Sequence, residues 1–222
     1  MKALKAISNI NDLSASQRGL LTSAQAQALG VDRVALSRLE EYGHIERLAH
    51  GVYRTAGAPP LREEDVLAAW MALDPKTPMY ERQKGASDFV ASLNTAAWLL
   101  GIGELNPVPM VFSYPRRHQT RKEGLVFLKR EIEPSDITVI CGMPATTADR
   151  TIIDLIAYGE DLSLVAGVLH DALDAGLISD EDSISEQIGK YSKKRGLKAE
   201  FPRSNTLRNS DERNVSYSTV LR

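Results

Sequence analysis

Three polar residues in one segment have the chemistry for reading DNA bases. Arg33, Ser37 and Arg38 lie in segment 33–42, RVALSRLEEY, in which the two leucines are three residues apart. This spacing predicts a helix whose two leucines, with Val31 and Tyr42, face the core, while the two arginines, the serine and Glu41 face outward. Arginine can donate two hydrogen bonds to O6 and N7 of guanine, and serine can bond to a base or a phosphate. The segment therefore has the composition of a recognition helix.

The residues before this segment predict a second helix and a phosphate contact. Thr22 is followed three residues later by Gln25, which is the pattern of a capping box, and Gly30 is placed to end the helix. Free N–H groups at the start of a helix attract phosphate, and neighbouring hydroxyls add hydrogen bonds. We therefore expect Thr22 and Ser23 to contact the DNA backbone.

A hairpin is predicted directly after the two helices. Residues 44–55, HIERLAHGVYRT, contain strand-forming residues on both sides of a turn at His50. Arg47, His50 and Arg54 are expected to contact the DNA backbone or minor groove from this hairpin. With an amphipathic helix predicted over 9–21, the order of elements is that of a winged helix-turn-helix.

The rest of the chain predicts a mixed domain and a polar tail, so the fold class is α+β. The expected domains are a winged helix-turn-helix DNA-binding domain over 1–57, a mixed α/β domain over 58–180, and a basic tail with a short helix over 181–222. Periodicity predicts helices over 61–73, 148–158 and 161–175, two helical pieces within 86–100, and strands over 108–114, 124–129 and 136–141.

Charge is unevenly distributed along a chain whose net charge is −2. Residues 131–189 carry thirteen acidic residues and one basic residue, whereas residues 116–130 carry six basic residues and one acidic residue. A second basic patch is therefore predicted in the loop between two strands, comprising Arg116, Arg117, Arg121 and Lys122. Such a patch suits phosphates, RNA or an acidic partner, but it is equally typical of a solvated loop.

Other classes of function have little support in the sequence. The chain has no run of 18 apolar residues and no secretory signal pattern, so we expect a cytoplasmic protein without a membrane partner. Its single cysteine, Cys141, and its four scattered histidines give no metal-ligand spacing. The nucleotide-binding and hydrolase motifs are absent as well. We therefore expect no enzymatic activity, no metal and no cofactor.

Segment 19–58 resembles a known family. It is similar to the N-terminal winged helix of the AbiEi antitoxins of bacterial type IV toxin–antitoxin systems. The residues that carry this similarity are GLLTSAQAQALGVDRVALSRLEEYGHIERLAHGVYRTAGA. A weaker resemblance to part of that family's second domain is carried by residues 144–160, PATTADRTIIDLIAYGE. It implies that the domain over 58–180 is the antitoxin domain. One departure lies in the wing, where Ala49 and His50 stand at positions that often carry paired arginines in the family.

The resemblance implies a DNA-binding autorepressor that opposes a nucleotidyltransferase-like toxin in an abortive-infection system. The implied partner is double-stranded operator DNA, and an inverted repeat would let two copies bind together. The resemblance also suggests that the toxin is opposed without a stable complex, whereas the residues themselves leave open whether the toxin is contacted directly.

Two alternatives remain open from the residues alone. The winged helix can be a protein-docking module in a generic regulator or a nucleic-acid-processing protein whose middle domain acts through Arg116, Arg117 and Asp149. Arg33 and Arg38 can also be ordinary exposed residues, because Arg38 and Glu41 have the spacing of an ion pair on one helix face.

Overall fold

The computed structural model describes residues 2–82 and 88–194, which form two compact units. The first unit contains residues 2–82, 88–89 and 139–144, and the second contains residues 90–138 and 145–194. A mixed α/β architecture with two separate sheets confirms the predicted α+β class.

The first unit is a winged helix-turn-helix extended by two further helices. Strands β1, β2 and β3 form an antiparallel sheet in the order β1-β3-β2. Ile10, Leu21, Leu36 and Ile45 are among the buried residues that pack the helices against this sheet. The elements are α1 (Lys2–Ser16), β1 (Leu20–Thr22), α2 (Ser23–Ala28), α3 (Arg33–Glu41), β2 (Ile45–Ala49), β3 (Val52–Thr55), α4 (Glu64–Leu73) and α5 (Met79–Arg82).

The predicted first helix ends too late. The periodicity of 9–21 includes Leu20 and Leu21, but both residues lie in β1 and are fully buried. Arg18 and Gly19 have φ angles of 62° and 83°, and this left-handed backbone separates α1 from the strand. A short buried strand next to a helix adds apolar residues that fit a helical period equally well, which explains the error.

The boundary between the units is not at residue 57, where the sequence predicts a domain boundary. Helix α4 follows the predicted linker and packs against β2 and β3 within the first unit. Its residues from Val66 to Met71 are all buried. A helix with so few exposed side chains needs neighbours on most sides, and the three-stranded sheet supplies one of them.

The second unit is built on a five-stranded sheet in the order β6-β5-β4-β8-β7. Strand β4 is antiparallel to β5 and parallel to β8, and β5 is parallel to β6. Residues 139–144, at the end of β7 and the start of β8, are counted with the first unit. The elements are β4 (Val90–Ala91), α6 (Leu93–Leu100), β5 (Met110–Tyr114), β6 (Leu125–Lys129), β7 (Ile137–Ile140), β8 (Met143–Thr146), α7 (Ala148–Tyr158), α8 (Leu162–Asp174) and α9 (Glu181–Lys194).

Helices α6 to α9 share one core, in which Ile152 and Val168 are fully buried. Helix α9 contributes Ile184 and Ile188 to this core, so the first part of the predicted tail over 181–222 is an integral helix. The rest of that tail, residues 195–222, lies outside the described residues. Within the described ranges, no helix is long and apolar enough to cross a membrane.

Candidate nucleic-acid interface

Helix α3 is held at both ends by a side-chain cap and by two flanking glycines. The Asp32 side chain accepts a hydrogen bond from the Ala35 N–H at 2.8 Å, which caps the start of the helix. Gly30 and Gly43 have φ angles of 85° and 71°, so the chain turns sharply before and after it. Leu36 is buried against the sheet, which fixes the opposite face of the helix toward solvent.

The solvent-facing side of α3 carries two arginines that pair with no other described residue. Arg33, Ser37 and Arg38 are all exposed. Within residues 2–82 and 88–194, neither arginine side chain makes a hydrogen bond or an ion pair, so the ion pair between Arg38 and Glu41 is not formed. Tyr42 is 73% exposed, which corrects the prediction that it faces the core. It follows α3 as its C-cap residue, where the helical period no longer applies.

The predicted phosphate contact of Thr22 is wrong in this structure, because Thr22 is 0% exposed. Its side chain caps α2 by accepting from the Gln25 N–H at 3.1 Å, and its hydroxyl donates to the Pro75 carbonyl. The capping box itself is as predicted, since the Thr22 N–H donates to the Gln25 side chain at 3.0 Å. The same groups cannot cap the helix and bind phosphate at once.

Ser23 lies beside Gly51, in the turn of the hairpin between β2 and β3. The Ser23 N–H donates to the Gly51 carbonyl at 2.8 Å, so this amide is unavailable to a phosphate. A Cβ on Gly51 would lie 3.0 Å from the Ser23 hydroxyl, and Gly51 has a φ of 73°, so only glycine fits this turn without strain. His50 is exposed beside it. Their adjacency makes Ser23 and His50 one candidate contact point rather than two.

Arg47 joins the hairpin to α3. Its guanidinium pairs with Glu40 at 2.9 Å, donates to the Tyr53 hydroxyl at 3.1 Å and lies over the Tyr53 ring. The hydrogen bond with Glu40 raises the pKa of Arg47, and Tyr53 adds to that effect. Arg47 therefore orients α3 against the hairpin, and its charge is partly neutralised although the side chain remains half exposed.

Arg54 is held inside the first unit by two acidic residues. Its side chain is only 14% exposed, and it pairs with Glu64 at 2.9 Å and with Glu46. Desolvation lowers the pKa of Arg54, but hydrogen bonds and charges from Glu46 and Glu64 outweigh it and raise the pKa overall. This arginine joins β3 to α4, so its burial and its ion pairs disfavour the predicted DNA contact. Sequence reasoning could not find Glu64 as its partner, since that pairing depends on the fold.

The basic patch of the second unit is exposed on the connection between β5 and β6. Its members, defined here as the basic loop, are Arg116, Arg117, Arg121 and Lys122. The loop is anchored by His118, whose ring meets Phe127 edge to face at a centroid distance of 4.5 Å. The four basic side chains therefore lie on a loop that is packed against β6 at His118.

A cavity of about 420 Å³ lies elsewhere in the second unit, between the start of α7 and α9. Arg150 donates to Asp136 at 2.7 Å and to Asp154 at 3.0 Å, and Asp149 and Asp180 also line the cavity. Because carboxylates outnumber the one guanidinium, the cavity disfavours phosphate. The basic loop does not line it, so the structure does not bring Arg116 and Arg117 together with Asp149 there.

Comparison with known proteins confirms the family resemblance for the first segment. Residues 9–56 match the model of a family described as "Transcriptional regulator, AbiEi antitoxin". No curated protein matches the chain. Among solved structures, the chain is similar to the RV2827C protein from Mycobacterium tuberculosis, with 14% identity and a TM-score of 0.49, over 86% of this chain and 71% of that one.

Proposed function

We propose that this chain is a DNA-binding transcriptional autorepressor and a non-enzymatic antitoxin of a type IV toxin–antitoxin system. In this proposal it binds the DNA upstream of its own gene and opposes a nucleotidyltransferase-like toxin. The observation that carries the proposal is the solvent face of α3, where two arginines without partners among the described residues stand on a helix capped and packed like a recognition helix. The match of residues 9–56 to antitoxin transcriptional regulators supports the same function.

The first unit would bind DNA weakly as a single copy. Arg33 and Arg38 of α3 pair with nothing in the described part of the chain, whereas Arg47 and Arg54 are both held by acidic residues. Each phosphate contact contributes salt-dependent affinity, and few contacts give a low total. Two copies on an inverted repeat would supply the missing contacts, with half-sites about 34 Å apart or a multiple of that distance.

A mobility-shift assay on DNA upstream of the gene tests the proposal. We expect a shift that a scrambled duplex of equal length and composition does not compete away, and that weakens steeply between about 50 and 200 mM salt, the range over which salt displaces basic side chains from phosphate. The double substitution Arg33→Ala/Arg38→Ala should abolish it, while Arg62→Ala, which alters a cation away from α3, should not. Absence of binding at low salt by folded protein would refute the autorepressor.

The antitoxin role is tested separately by co-expression with the neighbouring gene. If that gene encodes a nucleotidyltransferase-like protein that arrests growth, we expect co-expression of this chain to restore growth. No rescue from a verified toxin would refute this part of the proposal and leave a generic transcription regulator.

The exposed basic loop favours a second candidate function. In that case the first unit is a docking module, and the second unit binds a nucleic acid or an acidic partner through Arg116 and Arg117. Loss of toxin neutralisation in Arg116→Ala/Arg117→Ala, with operator binding intact, would favour this candidate. Neutralisation equal to that of the wild type would argue against it.

A further inference from the structure

We infer that Val34 recognises the methyl group of a thymine in the major groove, beside the base pair that Arg38 contacts. The inference rests on the proposed function and specifies what α3 reads. Val34 is the second residue of α3 and is 61% exposed. It is an apolar, β-branched side chain on a helix face that is otherwise polar.

Its position on the helix puts Val34 within that polar face. Residues three and four apart lie on the same side of a helix, so Val34 lies next to both Ser37 and Arg38. Leu36, the buried residue of α3, is two positions away and points to the opposite side. Val34 therefore takes no part in the core cluster of the first unit. Most of its apolar surface is left in contact with solvent.

An exposed apolar residue alone would be unremarkable, since single ones are common on protein surfaces. Three neighbouring features give Val34 a specific partner. It lies in the first turn of the helix, the part that enters the groove in helix-turn-helix proteins. It lies beside Arg38, which has no partner of its own among the described residues. A β-branched residue also has lower helix propensity than alanine, so helix stability does not favour it there.

The major groove contains one apolar group that a valine can contact. Thymine presents its C5 methyl there, whereas the other bases present hydrogen-bond donors and acceptors. Burying the two side-chain methyls of Val34 against that methyl removes apolar surface from water. Arg38 would bind a guanine on the next base pair through its guanidinium group. Together, Val34 and Arg38 would recognise a thymine next to a guanine.

Deoxyuridine provides a direct test, because it pairs like thymidine but lacks the methyl group. A duplex with high affinity is first selected from a randomised pool with the full-length wild-type protein. Each thymidine is then replaced singly by deoxyuridine. We expect one replacement per half-site to weaken binding about fourfold, the value of roughly one buried methyl group. Replacements at other thymidines should have no effect.

Val34→Ser and Ser37→Ala form a matched pair of variants for the same duplexes. With Val34→Ser, the thymidine and deoxyuridine duplexes should bind equally, because the apolar contact is gone. With Ser37→Ala, the fourfold ratio should persist. Equal binding of both duplexes by the wild type, or an unchanged ratio in Val34→Ser, would overturn the inference.

Two further outcomes separate this inference from the function on which it rests. If folded wild-type protein selects no duplex from the pool, the DNA-binding function itself fails. If Val34→Ser changes the mass of the protein in solution by light scattering, Val34 is a contact between copies of the chain, and the thymine assignment is overturned while DNA binding stands.

Discussion

Gln17 and Gln25 exchange two hydrogen bonds, of 3.0 and 3.1 Å, in the interior of the first unit. Both side chains make further bonds to one segment, since Gln17 accepts from the Met79 N–H at 2.9 Å and Gln25 donates to the Thr77 carbonyl at 3.2 Å. The two glutamines therefore attach the end of α1 and the start of α2 to residues that follow α4. This polar network is closed, so each amide group satisfies another.

We expect truncation of Gln17 to lower the stability of the protein strongly. Gln17→Ala would leave the Met79 N–H and part of the Gln25 amide buried without partners, at about 1–3 kcal/mol for each group. We expect the free energy of unfolding in urea to fall by about 3 kcal/mol. Gln27→Ala, at an exposed position of α2, is the control and should change it little. Similar unfolding midpoints for the two variants would show that the network contributes nothing.

A buried ion pair predicts a second loss of stability. Arg82 makes two hydrogen bonds to Asp88, donates to the Trp70 carbonyl and stacks on the Trp70 ring at 3.5 Å. Arg82→Ala would leave the Asp88 carboxylate without its partner, and breaking a buried pair costs about 3–5 kcal/mol. Arg62→Ala, which removes the exposed partner of Glu63, should cost about 0–1 kcal/mol. Thermal unfolding of both variants checks the contrast, and comparable losses would contradict it.

We expect alanine substitution to affect stability at Arg54 and DNA binding at Arg38. Arg54→Ala breaks two ion pairs that connect β3 to β2 and α4, so we expect a lower urea midpoint and unchanged preference among DNA sequences. Arg38→Ala removes an exposed side chain that pairs with no described residue, so we expect an unchanged midpoint and weaker DNA binding. Denaturation and mobility-shift assays on both variants distinguish the two roles. Selective loss of DNA binding in Arg54→Ala would reverse the assignment.

Arg33 predicts a change in specificity. A bidentate arginine–guanine contact discriminates by about 1–3 kcal/mol, so Arg33→Ala should reduce the ratio of specific to non-specific affinity about tenfold. Competition with operator and random duplexes measures that ratio. An equal loss of affinity for all duplexes would make Arg33 a phosphate contact instead.

We expect the basic loop to contribute to the salt dependence of DNA affinity. If Arg116 and Arg117 bind phosphate, Arg116→Ala/Arg117→Ala should make the slope of log affinity against log salt shallower by about 0.9 for each phosphate that is no longer neutralised. Titrations over a series of salt concentrations give the slope. Lys129→Ala, an exposed cation outside the loop, provides the control. An unchanged slope in the double variant would remove the loop from the DNA-binding surface.

The winged helix could be predicted closely from the sequence because its signals are local. The Thr22 capping box and Gly30 at the end of α2, in left-handed conformation, are both observed, and each depends on residues within one turn. The hairpin over 44–55 is observed for the same reason.

The errors concern residues whose environment is set by distant partners. Thr22 is covered by the segment around Pro75, and Arg54 is paired with Glu64, so neither side chain is available to DNA. Strand β8, which contains Pro144, is missing from the sequence-based expectations because proline removes a backbone donor and reads locally as a turn. Its burial in the sheet depends on pairing with β4, which lies far earlier in the sequence.

The inclusion of residues 139–144 in the first unit has a consequence for the order of folding during synthesis. Domains generally fold as units while the chain emerges from the ribosome, with N-terminal parts first. Helix α3 and the hairpin emerge early, but the unit that holds them is complete only when residue 144 has been added. Until then the nascent chain carries α3 on an unfinished scaffold, and a chain that stops before residue 139 never completes it.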